Sequence, residues 1–451
     1  MGSGEARDDS GPSGATVQGP TEALTLTPWA WRLEARFRWL RWRASRVFGR
    51  IPASRLTLIW VGLLLVIALA TFAPVLPAGM RMNPAGEDHM LARIGRTYGF
   101  RHAGAYFSPR FFERECQQGV ARSELTIYYR PLMFLSYAFD AALWDCDVRV
   151  GRTVNLLLHV ANAFVLGLLL LALSGGRRAV AVAGSLLYLV TPTSADPIGW
   201  WAARSDVLST LLSLIGLLAL VWWSERGGWR YLVVSVASLI CAVLTKDTAG
   251  IVFPLACLWL LLAPKSQKSP PVQRALLIAG LAALAVAYLV FRIETHTLVR
   301  PPAARVGAHY AVGQFVRFLS MPLFGLMRAV ETASLSPLDL GGVAALAAWV
   351  IILWPSLRPA IFLFALPALF FLPAMFYGII EPRYRYAAVA GSVALVALLC
   401  GQADRRCRSL WAPVALVPWV FAAVLFCKDL VALHQNVIFW AQEVLSRVVR
   451  P

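Results

Sequence analysis

Between Leu56 and Met80 the chain carries no charged residue. A helix of about 20 apolar residues spans the ~30 Å hydrocarbon core of a bilayer, and few soluble folds can bury such a stretch whole. Further apolar runs follow at Val154–Leu173, Ala179–Val190, Val207–Trp223, Tyr231–Leu244, Gly250–Ala263, Ala275–Phe291, Leu340–Leu353, Ile361–Tyr377, Ala387–Cys400 and Trp411–Phe426. Backbone amides find no water in hydrocarbon, so only helices and closed barrels cross it, and the lack of period-two alternation in these runs selects helices. Composition agrees: 59% of residues are hydrophobic and 15% charged, with a mean hydropathy of +0.64, outside the usage of an ordinary soluble domain. The expectation is an all-α, polytopic transmembrane helical bundle of about eleven spans. Several runs are short for lipid-exposed spans, so their helices must extend into flanking polar residues or lie partly inside the bundle.

Charge sets the orientation. Residues 1–26 are rich in Gly, Ser, Thr and Pro and read as a disordered tail, with no apolar run near enough to Met1 to be a cleaved signal peptide. Over 27–55 aromatic residues interleave with Arg32, Arg36, Arg38, Arg41, Arg43, Arg46 and Arg50, which suits either a basic amphipathic helix on anionic headgroups or a solvated basic flank of the first span. Either way these arginines place the amino terminus in the cytoplasm. Counting from there puts Arg177–Arg178, Ser224–Arg230, Pro264–Arg274, Pro355–Arg358 and Gln402–Arg408 on the cytoplasmic side, all basic or net positive. The external side receives a long first loop, 77–152, then Thr191–Asp206, Thr245–Ala249, Arg292–Asp339, Gly378–Tyr386 and a short amphipathic tail, 428–451. The membrane domain is thus 56–427, with Val312–Val330 read as an external interfacial or re-entrant helix.

The net charge of +18 does not indicate nucleic acid, because the basic residues fall in short clusters between apolar runs rather than on one face. Positive-inside topology accounts for them. Arginine outnumbers lysine 38 to 4, the usage of a GC-rich, bacterial coding sequence. Cys241, Cys257, Cys400 and Cys427 lie in or at the ends of apolar runs, as small hydrophobes. Cys116 and Cys146 share the first loop, where a disulfide or two free thiols are both open readings.

The external segments hold the chemistry-bearing residues. The first loop opens with Glu87-Asp88-His89 and closes with Tyr129-Arg130-Pro131-Leu132. The turn 191–206 carries Asp196, Trp200, Trp201, Arg204 and Asp206; a third segment gives Lys246-Asp247, and a fourth Glu381-Pro-Arg383-Tyr384. Charges at membrane depth are costly, so four such sets on one face point to a shared polar cavity. Simpler readings stand beside this one: Asp196 and Asp206 pairing with Arg204 to pin the turn, Lys246 with Asp247, and Glu381 with Arg383. Asn155 and His159, four apart on one helical face, suit interhelical hydrogen bonds. His296 and His309 lie too far from other ligand types to argue for a metal, and none is expected.

In order along residues 80–400, Tyr129-Arg130-Pro131-Leu132, Val154-Asn155-Leu156-Leu157-Leu158-His159 with Asn162, Asp196…Trp200…Arg204…Asp206, Lys246-Asp247 with Gly250, and Glu381…Arg383-Tyr384…Tyr386 resemble the dolichyl-phosphate-mannose protein mannosyltransferases, especially the tetratricopeptide-type O-mannosyltransferases and their bacterial relatives of the GT-C fold. The chain departs from that pattern at Thr191–Asp196, where the family usually begins His-Pro-x-His-x-Glu. It departs again at Glu87-Asp88, where Asp-Asp or Asp-Glu is usual, and no tetratricopeptide repeats follow the last span. The resemblance implies a GT-C-like bundle with interfacial helices in the first external loop. It implies an enzyme with no cofactor that moves a sugar, with inversion, from a polyprenyl-phosphate carrier to an acceptor hydroxyl of a glycan, lipid or protein outside the plasma membrane. In that chemistry Asp88, or Glu87, is the general base. Arg204, Lys246 and Arg383 would bind the donor phosphate, and Tyr129, Arg130, Asp196, Trp200, Asp206, Asp247, Glu381 and Tyr384 would line the substrate site. Two other classes stay open: a secondary transporter or lipid-carrier flippase, whose charges belong near mid-bilayer in two corresponding halves, and a non-catalytic GT-C-like scaffold.

Overall fold

The computed structural model describes residues 53–76, 87–111, 114, 129–264, 269–295, 357–375, 385–410 and 416–449, with isolated positions at 32, 35, 36, 39, 341 and 344. Arg50–Pro451 form one compact unit. Met1–Gly49 form another, of which Arg32, Ala35, Arg36 and Trp39 are described, each helical.

No extended strand forms among the described residues. The helices are α1 (Ala53–Phe72), α2 (Glu87–Tyr98), α3 (Pro131–Trp144), α4 (Val148–Leu173), α5 (Arg178–Leu189), the short α6 (Ala195–Gly199), α7 (Arg204–Arg226), α8 (Trp229–Thr245), α9 (Val252–Leu262), α10 (Pro271–Glu294), α11 (Leu357–Met375), α12 (Tyr386–Leu410) and α13 (Val417–Val449). Short 3₁₀ turns lie at Pro192–Ser194, Trp201–Ala203 and Asp247–Ile251, and a longer 3₁₀ stretch, kinked at His102, at Phe100–Phe107. Among the described residues six helical stretches are long and apolar enough to cross a membrane: Ser54–Phe72, Val148–Leu173, Trp201–Arg226, Pro271–Glu294, Tyr386–Arg405 and Val417–Phe439. Four shorter apolar helices lie at Arg178–Leu189, Trp229–Thr245, Asp247–Leu262 and Leu357–Phe370. Of the expected runs, Leu340–Leu353 lies almost wholly outside the described residues, as does Val312–Val330.

Local sequence explains where helices start and stop. Proline occupies the first position of α3 and α10, where its missing N–H costs nothing. Asp147 caps α4, its carboxylate accepting from the Arg149 backbone N–H at 2.8 Å. Helix α4 therefore starts six residues before the apolar run and carries Arg152 inside its first turns. Gly227 and Gly228, both at positive φ, turn the chain from α7 into α8. At the last span the helix runs on past the apolar run. The run Trp411–Phe426 and the tail 428–451 are not separate pieces, because no Gly or Pro interrupts 428–449 and α13 continues through Lys428 as one helix of 33 residues, about 50 Å long.

The core is one large apolar cluster drawn from α1, α4, α5, α7, α8, α9, α11, α12 and α13. Helix α12 is its centre, every residue from Tyr386 to Asp404 but Ala387 and Ala403 being buried, whereas α10 buries Arg274, Leu281 and Arg292 alone. Gly391 lets α11 approach α12, since a Cβ there would sit 2.9 Å from the Leu363 carbonyl. A second cluster forms under the first loop, where Leu91, Ile94, Tyr106, Phe134, Tyr137 and Trp201 pack together.

Contacts between helix termini define two ends. At one, Arg177 donates to the Gly401 carbonyl, Ser269 Oγ to the Ser224 carbonyl at 3.1 Å, and Arg274 to the Ala263 carbonyl at 3.0 Å. At the other meet the ends of α1, α5, α8 and α10 and the starts of α4, α7 and α12. Asn436 of α13 reaches that second end too, donating to the Pro192 carbonyl at 3.4 Å.

Candidate functional site

The candidate site is this second end. The turn 192–203 lies folded inward, every residue from Thr191 to Gly199 buried, because three groups hold it from below. Asn155 Nδ2 donates to the Pro197 carbonyl at 3.1 Å and lies 3.4 Å from those of Trp200 and Trp201. Tyr137 Oη donates to the Trp201 carbonyl at 3.2 Å. The Trp201 indole, wholly buried, donates to Asp140 Oδ2 at 2.7 Å.

Asp88 meets this turn. Its Oδ1 accepts the backbone N–H of Ala202 at 3.0 Å, and its charge lies within electrostatic reach of Arg152. Asp88 is 8% exposed, while Arg152 is fully buried and donates to the Val75 carbonyl at 3.3 Å, past the end of α1. Asp88 thus ties the first loop to the turn, and Arg152 near it ties α4 to the chain leaving α1. Glu87 opens α2, and its side chain lies outside the described residues.

Arg204, expected at a phosphate, is committed within the protein. It pairs with Asp140 at 2.6 Å, both side chains 2% exposed, and donates from Nε to Asn155 Oδ1 at 3.0 Å, from Nη1 to the Ser136 carbonyl at 3.4 Å and from Nη2 to the Gly151 carbonyl at 3.2 Å. Four of the five guanidinium N–H groups are so engaged, one from Nε, two from Nη1 and one from Nη2. Its plane also lies over the Tyr137 ring.

The other two cation–acid sets exchange partners relative to the sequence expectation. Lys246 pairs with Asp206 and not with its neighbour, bridging the end of α8 to the start of α7, and both are buried. Asp247 pairs with Arg292 at the end of α10, and Arg292 Nη1 also bonds Tyr288 Oη at 2.8 Å. Consecutive residues in an extended turn point to opposite sides, so Lys246 and Asp247 cannot serve one another and each finds a different helix. Tyr129 is buried beside this set, its hydroxyl donating to the Phe107 carbonyl at 3.0 Å and its ring 5.0 Å from Phe291. Burial pushes the Tyr129 phenol above its ordinary range, and the Arg292 charge opposes that rise. Arg130 stands at the start of α3, half-buried, and Asp196 is buried within α6.

Deeper in the bundle, His159 joins three spans. Its Nε2 faces the Leu189 carbonyl at 3.0 Å, an acceptor only, so the ring proton sits on Nε2. Nδ1 then accepts from Tyr386 Oη at 2.7 Å. Tyr386 in turn accepts from Asn162 Nδ2 at 3.2 Å, and Asn162 spends its other proton on the Val207 carbonyl at 2.9 Å. His159, Tyr386 and Asn162 thereby link α4, α5, α7 and α12 through buried hydrogen bonds. Asn155 and His159 thus make the interhelical bonds their spacing implied.

Glu381, Arg383, Tyr384 and Cys116 lie outside the described residues. Cys146 is a buried free thiol, pushed up to about 11 chiefly by that burial. Among the described residues no three His, Cys, Asp or Glu side chains gather closely enough to hold a metal ion. Sequence reasoning missed Asp140, Arg152, Tyr288 and Arg292. Asp140 carried a readable signal, an acid inside the apolar stretch 131–144; Arg292 looked like an ordinary span-end arginine.

No family model, curated protein or solved structure matches this chain.

Proposed function

We propose that this chain is an inverting membrane glycosyltransferase of the GT-C type, with about eleven spans, an amino terminus in the cytoplasm and its site on the external face of a bacterial plasma membrane. It moves a sugar from a polyprenyl-phosphate carrier to an acceptor hydroxyl. The observation that carries this reading is Asp88: a carboxylate gripped by the Ala202 amide at 3.0 Å, beside a buried arginine, where the first loop, the inward turn and two spans meet.

A carboxylate ionised at neutral pH accepts the acceptor hydroxyl's proton as its oxygen bonds the anomeric carbon. The bond from that carbon to the phosphate oxygen breaks on the opposite face, and the electron pair leaves with the polyprenyl phosphate. Positive charge is needed where that anion departs. Lys246 and Arg383 are candidates for that charge, whereas Arg204 acts by holding the Asn155–Trp201 turn that presents the Ala202 amide. Glycan, lipid and protein acceptors all supply the required hydroxyl.

In membranes carrying the protein and supplied with a labelled polyprenyl-phosphate sugar, label should pass from the lipid-extractable donor into product. Asp88→Asn should abolish that transfer while leaving the thermal unfolding of the purified protein within a few degrees of wild type. Full transfer by the variant would remove the base.

A further inference from the structure

The sets Lys246–Asp206 and Asp247–Arg292 stand on consecutive residues and join α7, α8 and α10 at one end of the bundle. They are not equivalent. Lys246 and Asp206 are shielded alike, with side chains 6% and 8% exposed, whereas Arg292 is 1% exposed beneath an Asp247 that is 21% exposed. Asp247 therefore lies over its arginine as a cover. The cover is only half fastened: Oδ1 contacts Arg292 and lies 3.4 Å from Tyr288 Oη, while the buried Oδ2 has no hydrogen-bond partner among the described residues. A purely structural carboxylate at such a place ordinarily satisfies both oxygens. Arg130 also acts electrostatically on Tyr288, so a second cation stands within reach of this set.

The geometry points to an anion site in which Asp247 is a tethered stand-in, holding Arg292 and Tyr288 in place until a phosphate monoester or diester displaces it and takes the same donors. A phosphate presents more acceptor oxygens than a carboxylate, so it can bond Arg292 and Tyr288 together and draw in Arg130. Asp247 is the most exposed of the four paired residues, so an anion would enter past it. This inference deepens the reading above by assigning the lipid phosphate of the donor to Arg292, Tyr288 and Arg130, and it rests on that reading for the identity of the lipid.

The test measures binding of sugar-free polyprenyl phosphate to the full chain in detergent, by native mass spectrometry or intrinsic tryptophan fluorescence, beside neutral polyprenol and inorganic phosphate. Asp247→Asn removes the competitor and should tighten polyprenyl phosphate binding roughly tenfold, whereas Arg292→Gln should weaken it at least as much. Neutral polyprenol should respond to neither variant, and inorganic phosphate should respond in the same direction as the lipid if the donors alone suffice. The double variant D247N/R292Q keeps the wild-type net charge, so it should fold well and still bind weakly. If Asp247→Asn weakens or leaves unchanged the affinity of a protein whose unfolding temperature is normal, the stand-in is refuted. If the double variant binds as wild type does, the site is refuted. Binding that follows the prediction without any sugar transfer would sink the transferase reading and leave the anion site standing, while transfer with indifferent variants would do the reverse.

Discussion

Replacing Asp140 by Asn removes the charge opposite Arg204 and keeps an acceptor for the Trp201 indole. The pair is 2.6 Å apart with both side chains 2% exposed, so nothing screens the guanidinium once its partner is neutral. Removing one member of such a buried pair costs about 3–5 kcal/mol, most of it the desolvation of the charge left behind. The carbonyls of Ser136 and Gly151 and the Asn155 amide remain as acceptors and place the expectation at the lower bound, about 3 kcal/mol. Asp140→Ala also strands the Trp201 N–H and should cost about 1–3 kcal/mol more. The assay is unfolding of the purified protein in mixed micelles with increasing SDS, followed by tryptophan fluorescence. In the double variant D140N/R204Q the stranded charge is gone, and the loss should fall well below that of D140N alone. Because the pair also holds the turn that presents the Ala202 amide to Asp88, D140N should lower transfer beyond its effect on stability. A D140N protein within about 0.5 kcal/mol of wild type, the spread of an ordinary surface substitution, would refute the reasoning.

Gly151 packs its Cα against the Trp201 indole, and Gly151→Ala should push that ring aside and cut transfer severalfold while the bundle persists; unaltered transfer would contradict the packing. Tyr386→Phe leaves His159 Nδ1 and Asn162 without the hydroxyl that joins them and should destabilise by about 1–3 kcal/mol in the same SDS titration. The Cys146 thiol, protonated to about pH 11 and buried, should react with a maleimide far more slowly than a free cysteine at pH 8, and faster with each step toward pH 11. In the unfolded chain that thiol ionises near its ordinary value of 9.0. The folded form alone holds its proton above that pH, so this residue's contribution to stability should decline between pH 9 and about 11.

Helix class was legible because hydrophobic length alone decides it, and ten of the apolar runs coincide with described helices. The gathering of polar groups at one end was legible from the alternation of basic and mixed-charge segments. Partner choice was not. Asp206 sits two residues from Arg204 yet pairs with Lys246, and Lys246 sits beside Asp247 yet leaves it to Arg292. Near neighbours in sequence at a helix terminus diverge in space, and pairing is set by which helix lies alongside, a long-range property that no local pattern records. Asp140 illustrates the same limit. Its acid was visible in an apolar stretch, but its partners lie 61 and 64 residues away. The continuation of α13 past Lys428 has no strong local signal, because the charged Lys428-Asp429 follows the apolar run directly, yet Asp429 is buried.

The central claim is that the lipid phosphate lands at the end of the bundle holding Asp88, Lys246 and Arg292. A polyprenyl phosphate with a photoreactive group beside the phosphate, cross-linked to the full chain in liposomes and mapped by peptide mass spectrometry, tests it directly. The account predicts adducts on residues 87–111, 129–152, 192–206, 245–251 or 288–295. Adducts confined to the opposite end, around Arg177, Arg226 or Arg274, would contradict it.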